Sequence, residues 1–521
     1  MMKRAALLLV MLASRSLAQE HEHQGVAGEK IGTVHFATSC SPAVAASFDR
    51  AVTFMHSFEF GSAVRSFNDV LAADSTCAMA DWGIALSRWT NPMVATLRLP
   101  ATLERGRVAA AEATRLAGRA TARERQYIGA VSQLYADYEH QPQRARQMAY
   151  EKAMADVAAA NPSDTEATIF YAIALVASAP PTDKTYANQL KAGAMLEALW
   201  VKQPNHPGLA HYIIHAYDVP ALAKQAEAAA DRYADIAPSA AHALHMPSHT
   251  FTRMGLWQKS VNTNLRSIAV SRQNGAYAET LHSFDYAEYA YLQMRQDAAA
   301  KKILDGLPAI IATFDPNATT GAAPGSAGTF ALAAIPARYA LERRAWSEAA
   351  ALVPKTTTLR YPEAMTYLTR ALGAAHTGAL ALARSSCDSL DAIHDQLVAA
   401  GDAYWAEQVA IQALEGWAAL RLAEGRRDDA MASMREAVAR EDATEKSSVT
   451  PGPLVPAHEL YGDMLMEVKQ PAEALREYRA SMAKEPNRYR ALNGAMLAAR
   501  ATGDRAAAAD YAKQIEKLTA P

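Results

Sequence analysis

A spacing of about 34 residues recurs along this 521-residue chain, and a period of that length restricts the fold more than any overall property does. Pro204 and Pro238 stand one such period apart. Gly462, Leu465, Ala474, Tyr478 and Pro486 fall at positions 8, 11, 20, 24 and 32 of one such unit. Ala63 and Phe67 fit positions 20 and 24 of an early unit, and Trp417, Ala418, Ala430 and Ala437 fit positions 7, 8, 20 and 27 of another. Within the units, apolar residues recur at i, i+3, i+4 and i+7 among Ala, Leu, Glu, Arg and Met, which is helical periodicity; no alternating strand pattern appears. Two antiparallel helices fill such a unit, with small residues where they approach and a proline ending the second. One hairpin cannot bury its own apolar face, so the units must stack into a solenoid with a concave inner wall. The fold class is all-α.

These positions resemble the tetratricopeptide repeat, and the resemblance implies a right-handed superhelix. The turn-rich stretch Asp315–Gly328 has no helical period and divides the solenoid into halves, 40–312 and 329–521, with 313–328 as linker. A second interruption, Thr444–Pro456, contains TPGP and is expected as a loop crossing the mouth of the groove. Half of the residues are hydrophobic and 20% are charged, which excludes a disordered chain. A net charge of −2 leaves no concentrated basic face for nucleic acid. Phosphate-binding glycine loops, C-x-x-C pairs and a G-x-S-x-G elbow are all missing from the sequence, and Ser248 beside His249 makes no nucleophile pair.

The chain opens with Lys3 and Arg4, an apolar run from Ala5 to Ala13, and the small residues of Ser16-Leu17-Ala18. This is the pattern of an export signal covering 1–18, too short to span a bilayer. No later run is long enough to span either. The mature protein is expected in the periplasm or secreted, with 19–39 as a flexible segment in which His21 and His23 belong to the tail. In an oxidising compartment Cys40 and Cys77, each just before a helix, are expected to form a disulfide, while Cys387 is a packed thiol within a helix.

Seven of the 15 histidines lie between His206 and His282. His211 and His215 form an i, i+4 pair, His245 and His249 form another, and the second pair repeats the first one period later, at positions 5 and 9 of consecutive units. His242 falls at position 2. In the next unit His282, Asp285 and Tyr289 take positions 2, 5 and 9. Residues at these positions share one stripe of the first helix, and the repeat resemblance implies that this stripe faces the groove. His211, His215, His242, His245, His249, His282 and Asp285 are therefore candidate metal ligands. Imidazoles from helices about 8–10 Å apart can meet around one ion, and such a donor set suits copper, iron or zinc rather than calcium or magnesium. His206, in the turn, and His376 are expected outside the site. Pro247 should break the helix between His245 and His249.

The same phasing turns His56, Trp82, Trp89, Arg338, Glu459 and Asp463 inward. Tyr289, Arg338 and Glu459 are the candidate catalytic groups, and the tryptophans either cover a ligand or pack between helices. The segments CAMADWGIALS, NHPGLAHYIIHAYD, HALHMPSHTFTRMG, LHSFDYAEYAYLQ and TEKSSVTPGPLVPAHELYGDML resemble exported bacterial tetratricopeptide-repeat proteins. That resemblance implies the superhelix and carries no activity. Three readings stay open: a metalloprotein with redox chemistry on copper or iron or hydrolysis on zinc, a periplasmic scaffold binding a peptide or protein, and a metal carrier without turnover; the groove's ligand is expected to be a small molecule or a peptide.

Overall fold

The computed structural model describes residues 29–94, 97–318 and 320–520. The expected export signal at 1–18, His21 and His23 lie outside them. Every regular element among the described residues is a helix, and successive helices pack as antiparallel hairpins. The repeat signature has a direct steric meaning. The ring of Tyr478 lies so close over Gly462 and Gly494 that a Cβ on either glycine would come within 2.8 and 2.3 Å of it. Phe67 covers Gly83 in the same way, with 2.2 Å between a built Cβ and the ring. An aromatic side chain from one helix thus fills the notch left by glycine on the next. Hairpin turns close on left-handed residues such as Gly255 and Gly503, where a side chain would be strained.

Nine helices matter for the site: α1 (Ala45–His56), α2 (Thr165–Ala177), α3 (Pro207–Ala216), α4 (Ala241–His245), α5 (Pro247–Arg253), α6 (Trp257–Gln273), α7 (Tyr277–Gln293), α8 (Gly325–Glu342) and α9 (Tyr489–Thr502). The break at Pro247 separates α4 from α5, as its missing N–H requires, yet Met246 keeps helical angles (φ −52°, ψ −36°) and the two run on as one rod. Across the expected linker, α7 packs directly on α8, and Ala331 and Ile335 of α8 share a core with Leu281 of α7 and Ile303.

Residues 29–39 differ from the flexible segment expected. Ile31, Val34 and Phe36 are buried, and the backbone bonds Thr33 to Asn205 and Ser239 to Lys30. An apolar residue at every second or third position gives this extended strip a buried side. The Cys40–Cys77 disulfide is present, and Cys387 is a free thiol whose pKa burial pushes up to about 12. No helix of the described residues is long and apolar enough to cross a membrane.

The superhelix closes on itself. Trp257 Nε1 of α6 donates to Asn487 O at 2.8 Å, just before α9, and Tyr489 N donates to Gln293 Oε1 of α7 at 3.1 Å. The Thr444–Pro456 loop then runs through the enclosed groove. Its carbonyls and Thr450 receive three hydrogen bonds from Arg338, to Pro453 O, Gly452 O and Thr450 Oγ1, each 2.8 Å. Tyr286 OH donates to Thr450 O at 3.0 Å, and Ser448 reaches Met93 O on the far wall.

Candidate metal centre

Helical register carries the two histidine pairs to one place. His211 and His215 of α3 meet His242 of α4, and His245 of α4 and His249 of α5 meet His282 of α7. Within each trio one nitrogen per ring lies within 4.8 Å of the others. All six side chains are between 0 and 4% exposed. The trios abut: ring centroids are 5.9 Å apart for His242 and His245 and 6.1 Å for His215 and His249. Pro247 does not spoil the second pair, whose rings are 5.1 Å apart.

Four of the rings are anchored through Nδ1. His211 Nδ1 donates to His56 O at 2.7 Å. His242 Nδ1 meets Glu279 Oε1 at 3.1 Å, His245 Nδ1 meets Asn264 Oδ1 at 2.7 Å, and His249 Nδ1 meets Asp218 Oδ2 at 2.9 Å. Asn264 uses its Nδ2 to donate to Ser260 O at 2.7 Å, so its Oδ1 is the acceptor toward His245. Burial pushes the Asp218 carboxyl up, but Lys446 and Arg253 outweigh it and hold the group well below the usual range. An ionised Asp218 makes His249 Nδ1 the donor. Both His245 and His249 therefore carry their proton on Nδ1 and present a bare lone pair at Nε2. Those two lone pairs face each other at 3.1 Å in the buried interior.

The other inward nitrogens have no partner either. His211 Nε2, His242 Nε2, His282 Nδ1 and both nitrogens of His215 are buried without a hydrogen-bond partner. Burial lowers the pKa of His211, His215, His249 and His282 and takes His245 down to about 3. These rings are neutral at pH 7, the form that binds a metal. Orphaned buried polar atoms are costly and need a partner; a cation seated among them supplies one. Two nitrogens 3.1 Å apart and each about 2.0–2.1 Å from one ion subtend roughly 100° at it, within the range of a distorted tetrahedral site. The donor set, three imidazoles per trio, fits copper, zinc or iron.

Other expected residues lie elsewhere. Asp285 joins neither trio; it pairs with Arg338 at 3.0 Å, and both are fully buried. The reason is competition: the guanidinium one helix away takes the carboxylate that the register points inward. Arg338 in turn serves the loop. Tyr289 OH bonds to Glu485 and Arg488, and Glu459 is held by Arg488 and Arg490, which also binds Asp463. These groups tie α9 to α7 and α8 rather than facing the imidazoles. Trp82 packs among Phe36, Tyr127 and Phe170, and Trp89 lies under Arg98. His376 stacks on Trp346, away from the centre.

His206 lies outside both trios, in a second buried cluster. Its Nε2 lies 2.8 Å from Glu166 Oε1, while His56 Nε2 lies 2.8 Å from Glu166 Oε2 and His56 Nδ1 lies 3.1 Å from Tyr212 OH. This second buried cluster is bonded internally, ties α1 and α2 to the start of α3, and places the His56 carbonyl that anchors His211. Sequence reasoning also missed Asp218, Asn264, Glu279, Tyr286 and Lys446. Asp218 lies close behind His215 in the chain and was findable; Asn264 sits on the outer helix of a hairpin, where periodicity marks only packing.

No protein-family model and no curated protein matches the chain. Among solved structures it is similar to a human IFIT1 dimer with m7Gppp-AAAA, at 11% identity and a TM-score of 0.37 over 85% of this chain and 90% of that one. A monomeric IFIT1 mutant with Gppp-AAAA gives 12% identity and the same TM-score and coverage. Likeness at this level carries no argument about ligands.

Proposed function

We propose that this chain is an exported solenoid metalloprotein that holds transition-metal ions in the two histidine trios. The observation that carries the reading is the pair of Nε2 lone pairs of His245 and His249, face to face at 3.1 Å with both Nδ1 protons committed elsewhere. Neither ring can donate to the other, so only a cation makes the contact favourable. The anchoring of four rings by a carbonyl, an amide and two carboxylates supports the same reading, since metal-binding histidines are held this way. The disulfide and the sequence of segment 1–18 support export. A peptide-binding groove is less well supported, because the chain's own 444–456 loop fills the space such a peptide would take.

Metal analysis of the purified mature protein tests the proposal. Bound copper, zinc or iron at neutral pH, lost in His249→Ala and retained in His376→Ala, is the expected result. Protein that stays metal-free after refolding with each of these ions, at an unchanged melting temperature, would overturn it.

A further inference from the structure

Resting on the reading of the trios as metal sites, we propose that they form one two-copper centre that binds dioxygen, bridging it between the ions as peroxide. The two trios are neighbours across 5.9 and 6.1 Å ring contacts, so ions seated one in each would be neighbours too. Three protein donors per ion leave each a free coordination position. Paired metal sites of this kind hold their ions roughly 3.5–4 Å apart, a span that one diatomic bridges.

Charge selects the metal. All six ligands are imidazoles, which bind a metal in their uncharged form, and Asp285, the carboxylate expected among them, is consumed by Arg338. Asp218 touches the site through His249 but is already matched by Arg253 and Lys446. Glu279, beside His242, is the nearest carboxylate bonded to a ligand ring without a cationic side chain as partner. Two divalent ions would place four positive charges in this buried pocket, at high desolvation cost. Two copper(I) ions bring two. When dioxygen enters, each copper(I) gives one electron and becomes copper(II), and dioxygen takes both and becomes peroxide. No proton moves, no bond to the protein forms, and the total charge of ions plus ligand stays at two. A buried site with few counter-charges suits a reaction that leaves its charge unchanged.

Access points the same way. No ligand side chain is more than 4% exposed. The rings are walled by Phe58, 4.4 Å from His211, by Tyr233, 5.2 Å from it, and by Tyr286, 4.9 Å from both His245 and His249. Rings this deeply buried favour a ligand no larger than a small apolar gas, which can pass through such packing.

The mature chain, refolded with copper(I) without oxygen and then exposed to oxygen, gives the test. We expect two coppers per chain, one dioxygen taken up per two coppers, a new near-ultraviolet charge-transfer band, and almost no paramagnetic copper signal because the two copper(II) spins couple through the bridge. His211→Ala and His282→Ala, one from each trio, should each keep about one copper, lose the band, and show an ordinary isolated copper(II) signal. Failure to bind any metal would overturn the metalloprotein reading itself. Two coppers that oxidise to two independent paramagnetic ions, or a single copper per wild-type chain, would overturn the bridged centre while leaving that reading intact.

Discussion

At the scale of single residues, the anchors matter as much as the ligands. Asp218 holds the proton of His249 on Nδ1 and so keeps Nε2 available. Asp218→Asn can flip its amide and favour the wrong tautomer, and it should weaken metal binding about 10–100-fold with little change in helicity; competition with a chromophoric chelator measures this. His206→Ala separates the second cluster from the centre. It leaves Glu166 buried with one partner fewer, which should cost about 3–5 kcal/mol. Metal occupancy in the folded fraction should stay at the wild-type level, since His206 itself holds no ligand ring. Denaturant unfolding and metal analysis on the same sample separate the two effects, and a loss of metal with unchanged stability would place His206 in the centre instead.

The ligands and their anchors were unequally legible in the sequence. His211 and His245 share a repeat position, so helical register alone brings them to one face. Asn264 and Glu279 reach the same rings from positions that the repeat assigns to packing, and only the pairing of specific helices in space reveals them. Asp285 shows the reverse failure. Its register points it inward, but nothing in a one-dimensional pattern says that Arg338, from beyond the turn-rich stretch, will take it.

At the scale of elements, the 444–456 loop is the part of the fold that periodicity could place but not explain. TPGP breaks the helix, and a break says nothing of where the freed chain goes. It goes inward because Arg338 offers its carbonyls a buried set of donors and Lys446 meets Asp218 at 3.4 Å. Arg338→Met should release the loop. The expected result is metal stripped by chelator at least tenfold faster at unchanged overall helicity, read by stopped-flow with a coloured chelator. The unpaired Asp285 should also lower stability, so Arg338→Met with Asp285→Leu is the variant in which loop release stands alone. The Cys40–Cys77 bridge acts on another element, the first hairpin. It closes a separation of 37 residues, and replacing both with serine should cost about 2–4 kcal/mol in chemical denaturation.

At the scale of the whole molecule, the buried imidazoles set the acid limit. In the metal-free protein His245, facing His242, His249, His282 and Glu279, titrates near 3, whereas an unfolded histidine titrates near 6.5. Below pH 6.5 the unfolded chain binds protons that the native one refuses, so stability falls as pH drops from about 6.5 toward 3. His211, His215 and His282 act in the same direction. His458 opposes them. Burial lowers it, but Asp442 and Glu477 raise it to about 9, so its contribution is complete below 6.5 and is lost as pH rises through 9. Thermal melts of metal-free protein from pH 4 to 9 should therefore show a steep acid limb and a shallow alkaline one. A flat profile between 4 and 6.5 would contradict the burial of the rings.

The closure of the superhelix also puts the events of folding in order. All six ligand rings are made before the chain has produced the loop that covers them and the Asn487 contact that locks the ring of repeats shut. A metal ion thus meets an open wall while the later repeats are still undocked, and a sealed chamber afterwards. Occupancy becomes a matter of history as well as affinity: a chain that folds in the presence of its metal keeps it, and one that folds without it stays empty for as long as the ring of repeats holds. Refolding the full chain with copper present, against adding the same copper after refolding, should give fast loading in the first case and loading at the rate of local opening in the second.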